Sequence, residues 1–244
     1  MPDTFKRHEK KYILNTSQYN KLQDLISHNM RKDKFCEDSP YLIRNIYLDT
    51  FNSDLIRMSC DKPIYKEKLR IRKYGDYNDG IDKYYIEIKR KYMGIVYKRR
   101  VALKKDELHN FTTKGIIPKN KSPQEVQILN EIKYLFNIYS PIPKSFIAYK
   151  RIAYYEIGNP DFRLTFDTDL YSRHDDFSFD NDYHEMPLLD NGYYLMEVKV
   201  GDSMPKWFAS ILSEIKAIPG SFSKYGTDFK ISTRKDKTLW YLMH

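Results

Sequence analysis

Basic side chains recur at every second position along several stretches of this sequence. Lys66, Lys68, Arg70 and Arg72 form one such run, and Lys98 and Arg100 another. Arg7, Glu9 and Lys11 keep the same spacing, as do Tyr85, Glu87, Lys89 and Lys91, and Glu197 with Lys199. In an extended chain, residues two apart share a face, so each stretch carries a row of charge. Many of the alternate positions are apolar: Leu69 and Ile71, Ile86 and Ile88, Tyr97 and Val101, Met196 and Val198. Arginine meets a phosphate with two parallel N–H bonds and lysine meets it as a point charge. Rows of this kind suit a chain of phosphates. The single carboxylates among them, Glu9, Glu87 and Glu197, offer the oxygen ligands that Mg²⁺ or Mn²⁺ requires.

The plainer reading is a sheet with a wet, charged outer face. Two features oppose it. Like charges set opposite one another across strands destabilise a sheet, and the glutamates are too few to be one-to-one partners. Turned inward, the same rows line a basic tunnel, and the apolar faces point outward, where helices can cover them. An anion in such a tunnel would relieve the repulsion and stabilise the fold.

The elements that must position these rows can be read from pattern and punctuation. Strands are predicted at Phe5–Leu14, Leu42–Asp49, Lys66–Tyr74, Lys83–Tyr92, Ile95–Leu103, Ser145–Ile157, Phe162–Leu170 and Tyr193–Val200. Turn signals separate most of them: Asn78-Asp79-Gly80, Met93-Gly94, Gly158-Asn159-Pro160 and Asp190-Asn191-Gly192. Amphipathic helices are predicted at Ser17–Met30, Pro123–Asn137 and Pro205–Ile218. Ser122 with Glu125 makes a capping box before the second. Asn181–Pro187, preceded by Asp175, Asp176 and Asp180, reads as a solvated acidic loop. The class expected is therefore α+β, a closed antiparallel β-barrel in one domain spanning residues 1–244, with amphipathic helices packed outside.

Composition agrees with an anionic partner. The chain has 244 residues and a formal charge of +9, from 42 Lys+Arg against 33 Asp+Glu. Its two cysteines, Cys36 and Cys60, lack zinc-ligand spacing. No stretch approaches the ~20 apolar residues of a membrane helix, and Met1–Lys11 is unlike a secretory signal, so a cytoplasmic location is expected. There is no P-loop, kinase-type glycine loop or Ser/His/Asp arrangement. A nucleic-acid binder would carry its basic residues on loops or helices rather than on alternate strand positions. His8 falls out of phase with Glu9 and Lys11 and is set aside as an acid or base, as is His184. Asp167 shares the face of Arg163 and is expected to pair with a tunnel cation rather than a metal. Tyr149 and Tyr155, on the face of Arg151, read as wall residues. Lys66 and Lys68 are expected near a tunnel mouth.

Eight segments, in order, carry a family likeness: RHEKKYIL, YLIRNIYLDT, KLRIRKYG, YIEIKRKYMGIVYKRR, FIAYKRIAYY, DFRLTFDTDL, YLMEVKV and SFSKYGTDF. Over roughly Arg7 to Phe229 the sequence resembles the VTC (vacuolar transporter chaperone) domain, the polyphosphate polymerase branch of the triphosphate tunnel metalloenzymes, also called CYTH-like. The resemblance implies an eight-stranded tunnel. It implies phosphate-binding roles for Lys11, Arg70, Arg72, Lys89, Lys98, Arg100, Arg151, Arg163, Lys199 and Lys224. Arg151 and Arg163, with Lys11 and Lys199, would hold the reacting phosphates, and Lys224 would close one end. Glu197 is implied as metal ligand, with Glu9 or Glu87 beside it. The activity implied is transfer of the γ-phosphoryl group of ATP to inorganic polyphosphate. A tripolyphosphatase or nucleoside triphosphatase of the same fold, and a non-catalytic polyphosphate-binding module, are the alternatives. One departure bears on this. The superfamily often begins with Glu-x-Glu-x-Lys, whereas this strand reads Arg7-x-Glu9-x-Lys11, which exchanges a possible metal ligand for a cation. The membrane helices and additional phosphate-sensing domain of the eukaryotic polymerases are not seen in these 244 residues.

Overall fold

The structure, a computed structural model, describes residues 8–61, 63–77, 79–93, 95–201 and 203–243; the side chains of 235–243 are not among those described. Arg7, Asn78 and Gly94, which the sequence reading used, lie outside the described residues. Eight long strands correspond to the eight expected: β1 (His8–Asn15), β3 (Tyr41–Asp49), β4 (Tyr65–Tyr74), β5 (Tyr84–Tyr92), β6 (Ile95–Leu103), β7 (Ile142–Glu156), β8 (Asn159–Arg173) and β10 (Tyr193–Val200). Three further strands are fragments: β2 (Met30–Lys32), β9 (Met186–Pro187) and β11 (Pro219–Gly220). All pair antiparallel in one 11-stranded sheet of order β11-β1-β10-β8-β7-β3-β4-β5-β6, with β2 on β7 and β9 on β8.

The expected closed eight-stranded barrel is thereby corrected. The sheet is open: among the described residues no ladder joins β1 to β6. The free side of β1 is taken by β11, where Lys11 and Tyr12 face Gly220 and Pro219, and proline has no N–H with which to extend a ladder. The sheet is nevertheless strongly curled. Glu9 on β1 feels the charge of Lys89 on β5, and Lys68 on β4 feels Lys11 on β1.

The helices α1 (Thr16–Ile26), α4 (Pro123–Tyr139) and α5 (Lys206–Glu214) match those expected. Capping boxes start the first two, Asn15 with Gln18 and Ser122 with Glu125. Sequence pattern missed α2 (Asp54–Cys60), α3 (Lys105–Lys114) and α6 (Lys224–Met243). On the outer face, Leu69, Ile71, Ile86 and Ile88 pack under Leu108 and Phe111 of α3 and Leu129 and Ile132 of α4. Leu164, Phe166, Met196 and Val198 pack under Leu22 of α1 and Phe208 of α5. The apolar strand faces do point away from the charged ones. The helices are not all outside, however. Ile56 of α2 and Tyr225 of α6 rest on inward-facing Ile43, Tyr47, Ile147 and Leu195. Tyr225 stacks on Tyr47 at 4.6 Å and donates to Asp49 at 2.9 Å, and His174 meets Asp228 of α6 at 3.1 Å. One part of the inner face is thus apolar and plugged, the rest charged.

The acidic segment is not a freely solvated loop. It wraps the fully buried guanidinium of Arg173, which donates to the carbonyls of Asp176 (2.5 Å), Asn181 (2.9 Å), Tyr183 (2.7 Å) and Ser178, and lies 3.6 Å over the Phe146 ring. Buried Arg44 reaches the same segment through the Phe179 carbonyl. Several main-chain acceptors here have a guanidinium as their partner, so its loss is costly. Arg173→Met should lower unfolding free energy in urea by about 3 kcal/mol, the scale for losing hydrogen bonds to a buried charge. A loss under about 1 kcal/mol would show that the segment is held by other contacts.

Candidate phosphate-binding site

Two groups of charge stand on the concave face. The first is built where β7, β8 and β10 run side by side, with Arg151 opposite Asp167 and Glu197 opposite Thr165. Arg151 grips Asp167 with Nε and Nη2 at 2.6 and 2.7 Å, and its Nη2 is 3.5 Å from Glu197. Lys224, the first residue of α6, enters between the carboxylates, 2.5 Å from Asp167 and 3.3 Å from Glu197. Lys11 lies 3.2 Å from Glu197 and 3.4 Å from Glu9, and donates to the Phe222 carbonyl at 2.9 Å. Lys199 is 3.8 Å from Glu197. Burial alone would raise both acids. Arg151 and Lys224 outweigh it for Asp167, and Lys224, Lys11 and Arg151 do so for Glu197, so both stay below the ordinary carboxylate range. Lys199 is pulled below its usual value, chiefly by burial.

The second group lies on β4, β5 and β6. Here a single buried acid, Glu87, faces Arg70 (2.6 Å), Lys98 (3.1 Å) and Arg100 (3.8 Å), and also feels Arg72. Arg72 donates instead to neutral acceptors: Asn45 at 2.8 Å and the hydroxyls of Tyr74 and Tyr149, each at 3.2 Å. Positive charge exceeds negative here more than in the first group. Burial and the neighbouring arginines lower Lys98 to about 7, although Glu87 opposes them.

A bulge aligns the first group. β7 and β8 shift register between Ala148 and Lys150, opposite Asp169, which has a left-handed φ of 49°. Below the bulge the inward residue of β8 is Leu170, and above it Asp167. A change of phase of this kind re-aims side chains.

The other candidate residues are placed as follows. Arg163 sits toward the opposite end of β8 from Arg173, exposed, with Nε on the Pro160 carbonyl at 2.9 Å, outside the buried group. Lys89 pairs in register with Lys68 and Lys98. Lys68, expected near a mouth, donates to Ser223 at 2.7 Å beside the start of α6. Lys66 is 3.4 Å from the Ser59 carbonyl. His8 is exposed, and His184 stacks on Tyr171 at 4.7 Å. Asp169 pairs with Lys150 at 3.0 Å. Tyr155 is exposed, whereas Tyr149 is buried at Arg72. Sequence reasoning missed Asn45 and Tyr47, which present polar atoms to Arg72 and Arg70. Their alternation in the β3 segment was the available signal.

No group of three or more His, Cys, Asp or Glu side chains that could hold a metal ion is found among the described residues. Glu9 and Glu197 converge on one point, the Lys11 ammonium, and a pair of carboxylates completed by substrate phosphates is a usual Mg²⁺ arrangement. That pair fits a hard divalent ion. Glu87 stands apart from that pair, facing Arg70 and Lys98 on the other group.

The model of the VTC domain family matches residues 6–232. No curated protein matches the chain in sequence. Among solved structures, a Bacillus halodurans protein described as a candidate adenylate cyclase has a TM-score of 0.50 at 14% identity, covering 88% of this chain and 92% of that one. A Vibrio parahaemolyticus protein of the same description covers 92% of this chain and 97% of its own, at 9% identity and a TM-score of 0.49. At 14% identity, the likeness to the Bacillus halodurans protein speaks to the fold alone.

The buried carboxylates set the response to acid. Asp167 and Glu197 have depressed values in the folded state, so their contribution is present above the ordinary carboxylate range and is lost as pH falls through the folded values. Asp167→Asn leaves Arg151 and Lys224 buried with a weaker partner and should cost about 3–5 kcal/mol at pH 7. Its melting temperature should then fall less than that of the unaltered protein between pH 7 and pH 3. Arg163→Ala should stay within about 0.5 kcal/mol, as an exposed side chain does. Equal effects of the two substitutions would refute this division.

Proposed function

The chain belongs to the VTC domain family, and on that premise we propose that it transfers the γ-phosphoryl group of ATP to the end of a polyphosphate chain. One observation carries the reading: around Glu87 a lone acid stands among Arg70, Arg72, Lys98 and Arg100, an excess of positive charge on a concave wall that a polyanion would neutralise.

In the transfer, the bond from the γ-phosphorus to the β,γ-bridging oxygen breaks. A bond to a terminal oxygen of the polymer forms, and ADP leaves. Such a reaction asks the protein for in-line positioning and charge neutralisation more than covalent help. Asp167 holds Arg151 by Nε and Nη2, which leaves Nη1 to meet the transferred group. Lys11 and Lys199, beside Glu197, hold oxygens of the donor. Arg72, Lys98, Arg100 and Lys89 track the polymer, and exposed Arg163 meets it at the rim. Lys224 keeps Asp167 and Glu197 neutralised while the site is empty of phosphate. Glu9 and Glu197 are the residues to hold Mn²⁺ or Mg²⁺, which when bound neutralises charge on phosphate oxygens.

The test is incubation of the protein with ATP and Mn²⁺, followed by separation of ADP, free phosphate and polymer. Polymer with stoichiometric ADP is expected. Free phosphate without polymer would instead identify a triphosphatase in which water is the acceptor, and triphosphate binding without turnover a binding module. Arg151→Ala should lower kcat by about 10²–10³, the usual cost of one aimed donor at a developing charge. Arg151→Lys should recover little, because an ammonium cannot reproduce the fork. Arg100→Ala should chiefly raise KM. An Arg100→Ala loss of kcat matching that of Arg151→Ala would displace the reaction centre to the second group. Glu197→Gln should abolish metal-dependent turnover while metal-free polyphosphate binding is kept. Full turnover in that variant would remove Glu197 as a metal ligand.

A further inference from the structure

The turn between β5 and β6 carries a pattern that the phosphate reading does not use. From Lys89 to Arg100 the chain reads KRKYMGIVYKRR, an apolar tip between two basic triplets. No acidic residue lies between Glu87 and Asp106. The two strands stay in register up to the tip, with Lys91 opposite Val96 and Tyr92 opposite Ile95. The Met93 amide donates to the Ile64 carbonyl at 3.0 Å, which brings the residue before β4 to the same end. Met93 is 70% exposed and Ile64 71%, and Tyr92 and Tyr97 are exposed beside them. Exposed Tyr134 of α4 continues the patch across the groove it shares with Arg90.

Two features give this exposure a meaning. Met93 has a left-handed φ of 46°, a conformation that suits glycine or asparagine and strains a longer side chain. The turn thus keeps a flexible apolar side chain in water at a backbone cost. Around it, positive charge is in excess. Among the described residues, the six cations of the two triplets have only Glu67, Glu87 and Glu131 as salt-bridge partners.

We propose that the tip of the β5–β6 hairpin is a membrane-contact site, and that its partner is the surface of a bilayer containing anionic lipid. Ile64, Tyr92, Met93 and Tyr97 enter the boundary between headgroups and acyl chains, where tyrosine rings are enriched. The basic triplets behind them meet the lipid phosphates, an attraction that works over a short range in salt. The shape favours lipid over a folded protein. The patch is the end of a two-stranded hairpin, and β6 is the last strand of the sheet. A soft bilayer closes around such a tip, whereas a protein partner would need a groove made to fit it. Apolar side chains ringed by like charge are the usual composition of a peripheral membrane contact.

The measurement is co-sedimentation of the full chain with two kinds of vesicle, alongside melting of each protein without lipid. One kind is phosphatidylcholine, the other an equal mixture of phosphatidylcholine and phosphatidylglycerol. Binding to the mixed vesicles that weakens with salt is expected, with little binding to phosphatidylcholine. Met93→Asn leaves the charge unchanged and suits the left-handed backbone. It should keep or raise the melting temperature, yet bind the mixed vesicles about tenfold more weakly, the scale for withdrawing one large apolar side chain. Ile64→Asn should act in the same way. Lys91→Gln should weaken binding about fivefold, the factor for one basic residue near an anionic surface. Full binding by both Met93→Asn and Ile64→Asn would overturn the proposal, because net charge alone would then account for the attraction. Failure of the unaltered protein to bind the mixed vesicles would also overturn it. So would lipid-free self-association, read by light scattering, that Met93→Asn abolishes, since the tip would then be a contact between copies of this chain.

Discussion

Concentrating positive charge on the inside of a curved sheet is the constraint under which the rest of this molecule is arranged. Four cations, Lys11, Arg151, Lys199 and Lys224, come within 4 Å of Glu197. In a low dielectric such crowding opposes folding unless acids are interleaved. Asp167, Glu197 and Glu87 are those acids, and each is buried more completely than most of the cations it serves. The carboxylates therefore act first as the framework that allows the cations to be gathered. The two groups differ in how far this neutralisation goes. Around Asp167, Glu197 and Glu9 three acids meet four cations, whereas around Glu87 a single acid faces several, which leaves the larger excess of positive charge there.

The curvature follows from the same division of labour. With charge on the inner face, the sheet buries its apolar residues on the outside, and α1, α3, α4 and α5 complete those cores. This reverses the usual barrel, in which the core is the interior. Only where α2 and α6 enter does the inner face turn apolar. The first residue of α6 is also a member of the charged group: Lys224 reaches Asp167, while the next residue, Tyr225, stacks on Tyr47. One short stretch of chain thus joins the hydrophobic plug to the ionic site.

Much of this was legible in the sequence because a strand repeats every two residues, and that period is visible in runs such as Lys68, Arg70 and Arg72. All eight long strands were readable on that ground, and α1, α4 and α5 on their own helical spacing of apolar residues. Closure was not, because it depends on edges: whether β1 meets β6 turns on a two-residue strand containing Pro219, which no period announces. The bulge at Asp169 was equally hidden. Strict alternation puts Leu170 and Asp167 on opposite faces of β8, yet both face inward. The missed helices are explained by weaker signals. Helix α3 buries only Leu108 and Phe111, and α6 opens with a glycine and a threonine in its first turn. Arg163 kept the inward phase of its strand but lies beyond the depth at which the wall is buried, a coordinate that alternation does not encode.

The chain distance between partners differs sharply between the two charge groups. Arg70 and Glu87 are only 17 residues apart, on adjacent strands of the continuous meander β3-β4-β5-β6 apart from the inserted α2. The other group draws on β1, β7, β8, β10 and α6, and Lys11 is bonded to a carbonyl 211 residues away. Loop-closure entropy grows with the logarithm of the length enclosed, while contacts made across a long span are the slow ones to form. The wall around Glu87 is therefore assembled from local contacts, and the buried acids beside Arg151 are completed only when β1 and α6 have both arrived. A chain synthesised from its N-terminus can build that wall early, but it cannot complete the group around Asp167 and Glu197 until the residues that start α6 are available to fold.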